Sequence, residues 1–206
     1  DVVPLTGLGI FEQGALPRWA RVRQSFDTGE VDDVAAAVAA ELSRAGIGDA
    51  VTPGARVAIL AGSRGVDRVA EVVRALADGI RSRGGLPFVA PAMGSHGGAT
   101  AAGQAEVLAH YGITGDSVGC PVRSCMDTVH LGDVLDGVPV YVDRLVFDEA
   151  DLVIPVNRVK PHTDFAGPVE SGLSKMLAIG LGKQKGADTF HSRGYGEFPR
   201  LIPAVA

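Results

Sequence analysis

Five residues in this chain could move a proton, hold a metal or grip an anion: Arg64, His96, His162, Lys175 and His191. His96 lies in Met93-Gly-Ser-His-Gly-Gly98. Its glycines allow close approach to a ligand, and imidazole exchanges protons near neutral pH. His162 lies in Asn157-Arg-Val-Lys-Pro-His-Thr163, and Arg64 in Gly62-Ser-Arg-Gly65. Lys175 follows Ser171-Gly-Leu-Ser174, and His191 comes sixteen positions later in Thr189-Phe-His-Ser-Arg193. Taken singly, each has a plainer reading. A loop histidine can simply bond a turn carbonyl, Lys175 fits the exposed face of an amphipathic helix, and His191 fits a surface turn.

Two further lysines, Lys183 and Lys185, stand in Gly180-Leu-Gly-Lys-Gln-Lys-Gly186. Backbone amides there could cradle a phosphate, with both ammonium groups adding charge, although the spacing is not that of a P-loop. No G-x-G-x-x-G dinucleotide fingerprint occurs. His110 falls inside a helical pattern and His130 in a strand pattern, so both read as structural or surface residues. Cys120 and Cys125 have neither zinc-ribbon nor redox spacing and read as reduced structural thiols.

Alternating strands and helices must position these residues. Asp32 and Asp33 precede a helix over Val34 to Arg44, ended by Gly46. Arg56 to Ala61 reads as a buried strand, and Val69, Val72, Val73, Leu76 and Ile80 recur at helical spacing behind it. The unit repeats with a strand over Leu86 to Ala90, a loop over Pro91 to Ala99 and a helix over Thr100 to Tyr111. After the Asp136-Gly137 turn, Val138 to Val142 alternates as a strand. Asp151 to Val156 reads as a strand buried on both faces, followed by a long polar loop from Asn157 to Gly167. A helix over about Glu170 to Ile179 completes the pattern. The expected fold is α/β, a mostly parallel Rossmann-like sheet with right-handed crossovers and helices on both faces. In such sheets ligands bind beyond the carboxyl ends of the strands, which is where the Arg64, His96 and His162 loops fall.

Composition narrows the partners. The chain has 206 residues, 46% hydrophobic and 21% charged, with a net charge of -5. That size suits one sizeable domain. The acidic balance argues against nucleic acid, which demands clustered Lys and Arg. No apolar run is long enough to span a bilayer. Asp1 to Leu8 lacks the pattern of a secretory signal, so the expected location is the cytoplasm. Phe198 to Ala206 is an apolar segment without polar or glycine termination, which points to a longer parent protein.

The segment Lys160-Pro-His-Thr-Asp-Phe-Ala-Gly-Pro-Val-Glu-Ser-Gly-Leu-Ser-Lys-Met-Leu-Ala-Ile-Gly-Leu-Gly-Lys183 resembles the nickel-dependent lactate racemase family, and the resemblance extends over most of the chain. It implies that residues 1–206 form the N-terminal cofactor-binding domain, the family's C-terminal domain lying outside this sequence. It further implies a nickel-pincer nucleotide, pyridinium-3,5-bisthiocarboxylic acid mononucleotide, joined covalently to Lys175. Two sulfurs and a ring carbon would hold the nickel, and His191 would supply the fourth ligand, a donor set that suits square-planar nickel. His96 and His162 match the family's acid/base pair, and Arg64 the residue that steers the substrate carboxylate. The implied partners are a small 2-hydroxy acid and the enzymes that synthesise the cofactor.

The activity so implied is racemisation or epimerisation of a 2-hydroxy acid, an isomerase reaction by hydride abstraction and return. The chain departs from the family in two places: Gly97-Gly-Ala99 follows His96 where a basic residue is common, and Glu170-Ser171 lengthens the stretch between His162 and Lys175. Lactate itself is thus one candidate substrate among several. Two other classes stay open: an NAD-independent oxidoreductase-like or phosphate-handling enzyme on the same fold, and a non-catalytic small-molecule-binding domain.

Overall fold

The computed structural model describes residues 20–26, 29–44, 46 and 48–206. The reading of Asp1 to Leu8 lies outside them. The chain divides into Asp1–Glu30 and Val31–Ala206. In the first unit the described residues form no helix or strand.

In chain order the second unit contains helix α1 (Val34–Leu42), strand β1 (Arg56–Ala61), α2 (Val69–Ser82), β2 (Leu86–Pro91), α3 (Ala101–His110) and the short α4 (Gly115–Val118). There follow β3 (Thr128–Val134), β4 (Val138–Asp143), α5 (Arg144–Glu149), β5 (Leu152–Val156), α6 (Leu173–Lys175), α7 (Lys183–Arg193) and α8 (Phe198–Val205). The fold is mixed α/β around a three-stranded parallel sheet of order β2-β1-β5. β1 is central, pairing Ala61 with Pro91 on one side and with Val156 on the other. Its side chains therefore alternate between two cores. Val57, Ile59 and Ala61 pack with Val73, Leu76, Ala77 and Ile80 of α2 and with Leu108 of α3. Ala58 and Leu60 pack with Val146 of α5, Met176 and Leu181. Both faces are thus covered, which the continuous apolar run of β1 requires.

Local chemistry sets the helix starts. The Asp33 carboxylate accepts the Ala36 N–H, and the Thr100 hydroxyl accepts the Gly103 N–H, each satisfying an orphan amide of a first turn. At the other edge of the sheet Arg56 grips Asp151 through its side chain and its N–H. This holds the Asp151 carboxyl at about 2 and joins the starts of β1 and β5.

The strand expected after the Asp136-Gly137 turn is β4, which pairs antiparallel with β3 in a separate two-stranded sheet. Two expectations need correction. β5 is half-buried along its length, not buried on both faces, because it is an edge of the sheet with only β1 beside it. The single helix expected over Glu170 to Ile179 is the short α6 followed by a π-helical turn, Met176–Gly180, closed by the Leu181 N–H to the Met176 carbonyl at 2.8 Å. His110 ends α3 and His130 lies in β3, both exposed. Neither cysteine is in a disulfide. Among the described residues no helix is long and apolar enough to cross a membrane.

Candidate functional site

Because β1, β2 and β5 run parallel, their carboxyl ends open on one edge, and the loops that follow them converge there. They line a cavity of about 510 Å³. Arg64 comes from the loop after β1, His96 from that after β2, and Arg158, Lys160, His162 and Asp164 from that after β5. Lys175, at the end of α6, and His191, in the last turn of α7, complete the wall. Five of the seven residues singled out from the sequence therefore share one cavity.

The loop bearing His96 is zipped to its surroundings through glycines. Gly97 adopts a left-handed φ of +66, and a Cβ there would stand 2.6 Å from the Gln104 nitrogen. Only a residue without a side chain permits that approach to α3. On the other side the Gly94 N–H donates to the Gly180 carbonyl at 3.0 Å, tying the loop to the π-helical turn. Partial burial, reinforced by the charges of Arg64 and Lys175, lowers the pKa of His96 below the ordinary imidazole value.

His162 is more tightly held. Its side chain is 11% exposed, with its ring 4.4 Å from that of Phe165 and 5.8 Å from that of Tyr195. The Glu170 carboxylate accepts the backbone N–H groups of His162 and Gly167, at 2.9 and 3.1 Å, and so clamps the loop from both ends. These bonds hold the Glu170 carboxyl below its usual range. The Asp164 N–H donates to His162 Nδ1 at 3.1 Å. An Nδ1 that accepts carries no proton, so the neutral ring bears its proton on Nε2. Burial, then the charge of Lys175, lowers the His162 pKa.

Lys175 is half-buried, and burial together with the charges of Lys160 and Arg64 lowers the pKa of its ammonium. His191 is exposed on α7 and meets Tyr195 and Phe198 edge-on, at 5.9 and 5.7 Å between ring centroids. The stretch from Gly186 to Gly194 belongs largely to α7, whose Ala187 and Phe190 are buried against Phe198, Leu201 and Ile202. The ring of Tyr195 is in contact with those of both His162 and His191.

Lys183 and Lys185, expected to hold the cofactor, do not line the cavity. The Lys183 side chain is fully buried. Its Nζ donates to the Pro91 carbonyl at 2.6 Å and to Gln104 Oε1 at 3.0 Å, and it stands 2.9 Å from Asp143 Oδ2. Lys185 sits with its Nζ 5.3 Å from the Tyr141 ring centroid, a cation–π contact on the β4 side. The glycine-rich Gly180 to Gly186 segment is thus a helix junction, with Lys183 committed to protein partners and Lys185 exposed beside Tyr141.

Sequence reasoning passed over Asn157, Glu170, Tyr195 and Gln104. Asn157 lines the cavity, and its buried Oδ1 has no hydrogen-bond partner among the described residues. Glu170 was noted only as extra length. Gln104 carried a signal: it stands four positions before the buried Leu108, on the apolar face of α3, where an unpaired amide would be costly. No family model matches this chain, and no curated protein matches it.

Proposed function

We propose that this chain is the cofactor-carrying part of a 2-hydroxy-acid racemase or epimerase, built on a Rossmann-like sheet and related to the nickel-dependent lactate racemases. The observation that carries the reading is the convergence of Arg64, His96, His162, Lys175 and His191 on one cavity at the carboxyl edge of the sheet.

The cavity suits an anionic organic group. Arg64, Arg158, Lys160 and Lys175 face it against Asp164 alone among its acidic residues. A metal bound through His191 would draw its other donors from the organic group, as a pincer nucleotide provides. Lys175 is the residue to hold that group covalently, since its lowered pKa leaves more of it as nucleophilic amine. When bound, the group supplies an acceptor for hydrogen and its electron pair from carbon 2 of the substrate.

The chain's own residues do the rest. Arg64 pairs with the substrate carboxylate and orients carbon 2. His96 and His162, both weakened as bases, are neutral near pH 7 and can exchange the hydroxyl proton. They are not equivalent. His162 presents an Nε2–H donor in its resting tautomer, and accepting a proton at Nε2 requires the ring proton to move to Nδ1. Asp164 Oδ2 stands 3.6 Å from that atom, and a small rotation would let it accept a hydrogen bond from an Nδ1–H in place of the Asp164 N–H contact there.

The test is coexpression with cofactor-synthesis enzymes, followed by peptide mass mapping, nickel analysis and chiral chromatography on a panel of 2-hydroxy acids. An adduct on Lys175, stoichiometric nickel lost in His191→Ala, and enantiomer interconversion abolished in Lys175→Ala are expected. Interconversion that survives Lys175→Ala, or an adduct on another residue, overturns the reading.

A further inference from the structure

Beneath the cavity, outside its lining, lies a set of fully buried polar side chains: Gln104, Asp143 and Lys183. We propose that Gln104 is a positioning residue, whose amide, oriented by Lys183, sets the His96 loop relative to helix α7. The significance for catalysis rests on the reading above; the linkage itself does not.

An ammonium has three protons and no acceptor, so every group facing it must present an oxygen. Lys183 Nζ meets Pro91 O at the end of β2, Gln104 Oε1 on α3 and Asp143 Oδ2 at the end of β4. The amide of Gln104 can therefore sit in one orientation only, oxygen toward Lys183 and nitrogen away. The nitrogen's two protons then reach the loop, donating to Gly94 O at 2.8 Å and to His96 O at 3.3 Å. The backbone on either side of Ser95 is gripped by one amide whose direction is dictated by one ammonium.

The same ammonium belongs to the first residue of α7, held in a left-handed conformation at φ 55. A non-glycine residue pays for that conformation in strain and keeps it only where its surroundings demand it. From there α7 carries Ala187 and His191 to the cavity wall. Lys183 is thus a common anchor: one arm runs through Gln104 to His96, the other along α7 to His191. Replacing buried ion pairs by apolar side chains often leaves stability unchanged or raised. A role in fixing geometry accounts for this arrangement better than stability alone.

The experiment uses the full chain labelled with carbon-13 at histidine Cε1, with the His96 resonance assigned by its loss in His96→Gln. Gln104→Met removes both arms of the amide, while Gln104→Glu keeps an oxygen for Lys183 and removes the donors to Gly94 and His96. Both variants should shift the His96 resonance and move its titration midpoint by about half a unit or more, leaving the His130 resonance in place. An unmoved His96 with only a lower melting temperature overturns the proposal, because plain packing predicts that outcome. If neither variant folds, the wild-type chain decides: the Gln104 side-chain NH2 should be protected from hydrogen exchange, and rapid exchange refutes the linkage. If the loaded protein interconverts a 2-hydroxy acid, Gln104→Met should lower kcat with KM little changed. If it interconverts none, the racemase reading fails while the resonance shifts still judge Gln104.

Discussion

Lys183→Met tests the ion pair on which two walls of the cavity depend. Lys183 and Asp143 are each without solvent exposure, and their charges meet at 2.9 Å. Removing the ammonium leaves Asp143 Oδ2 buried with no counter-charge, and strips Pro91 O and Gln104 Oε1 of their donor. Breaking one side of such a pair costs about 3–5 kcal/mol. Two Asp143 contacts survive, since Oδ1 still accepts the Leu145 and Val146 N–H groups at the start of α5, at 2.8 and 3.3 Å. That places the expected loss toward the lower end of the range. For a domain of this size each kcal/mol lowers the melting temperature by roughly 2–4 °C, so a drop of roughly 6–12 °C is expected. In Lys183→Met/Asp143→Asn the unpaired charge is gone and the α5 cap is retained, while Pro91 O and Gln104 Oε1 still lack their donor. Part of the loss should return. Calorimetric melting and urea unfolding of the wild type and of single and double variants measure this. A loss below about 1 kcal/mol in the single variant, or a double variant no more stable than the single, would show that the two charges are not coupled.

Three further outcomes follow from the site. Lys175, with its pKa lowered by burial and by Lys160 and Arg64, should be acylated at pH 8 ahead of exposed lysines such as Lys185. Timed labelling with peptide mapping checks this, and a slower Lys175 contradicts the charge argument. The pKa values of His96 and His162 are lower in the folded than in the unfolded chain, where imidazole titrates near 6.5. Between those values the unfolded chain binds more protons, so stability rises with pH up to that point and falls on acidification below it. Melting temperature recorded from pH 7.5 to 5 should show the fall, and His96→Gln/His162→Gln should flatten it; an equal slope in the variant assigns the effect elsewhere. Glu170→Ala should speed amide hydrogen exchange at His162 and Gly167, the two N–H groups it holds, while amides of β1 stay protected. Unchanged exchange at both would mean that the loop is fixed by its aromatic contacts.

The parts of this fold that were legible are those where one physical rule dominates. β1 was read at its observed bounds because six residues from Arg56 to Ala61, all but the first buried, leave no polar face to mislead. α2 was legible from Val69, Val72, Val73, Leu76 and Ile80 because its other face is charged. The three loops of the cavity followed from strand direction alone. The half-buried character of β5 was not legible, since an apolar run does not reveal whether a strand has one neighbour or two. The π-helical turn was missed because Met176 to Gly180 reads as ordinary helix. Its widened ring depends on where the Leu181 N–H finds a carbonyl, which is a tertiary outcome.

Lys183 is the most instructive misreading. Between Gly182 and Gln184, in a segment rich in glycine, a lysine looks like a solvated charge available to a phosphate. Its fate is decided by two residues distant in sequence, Gln104 and Asp143, which close around it only when α3, β4 and α7 have packed. Glycine contributes to that closure in a way composition does not show. A Cβ on Gly182 would stand 2.9 Å from the Gly186 backbone and 3.2 Å from the Tyr141 carbonyl, so the residue before Lys183 must be bare for α7 to seat against β4. The glycines that suggested an open, phosphate-binding loop are therefore the reason the segment is closed. The ammonium they bring inside faces the underside of the His96 loop, one amide away from the cavity.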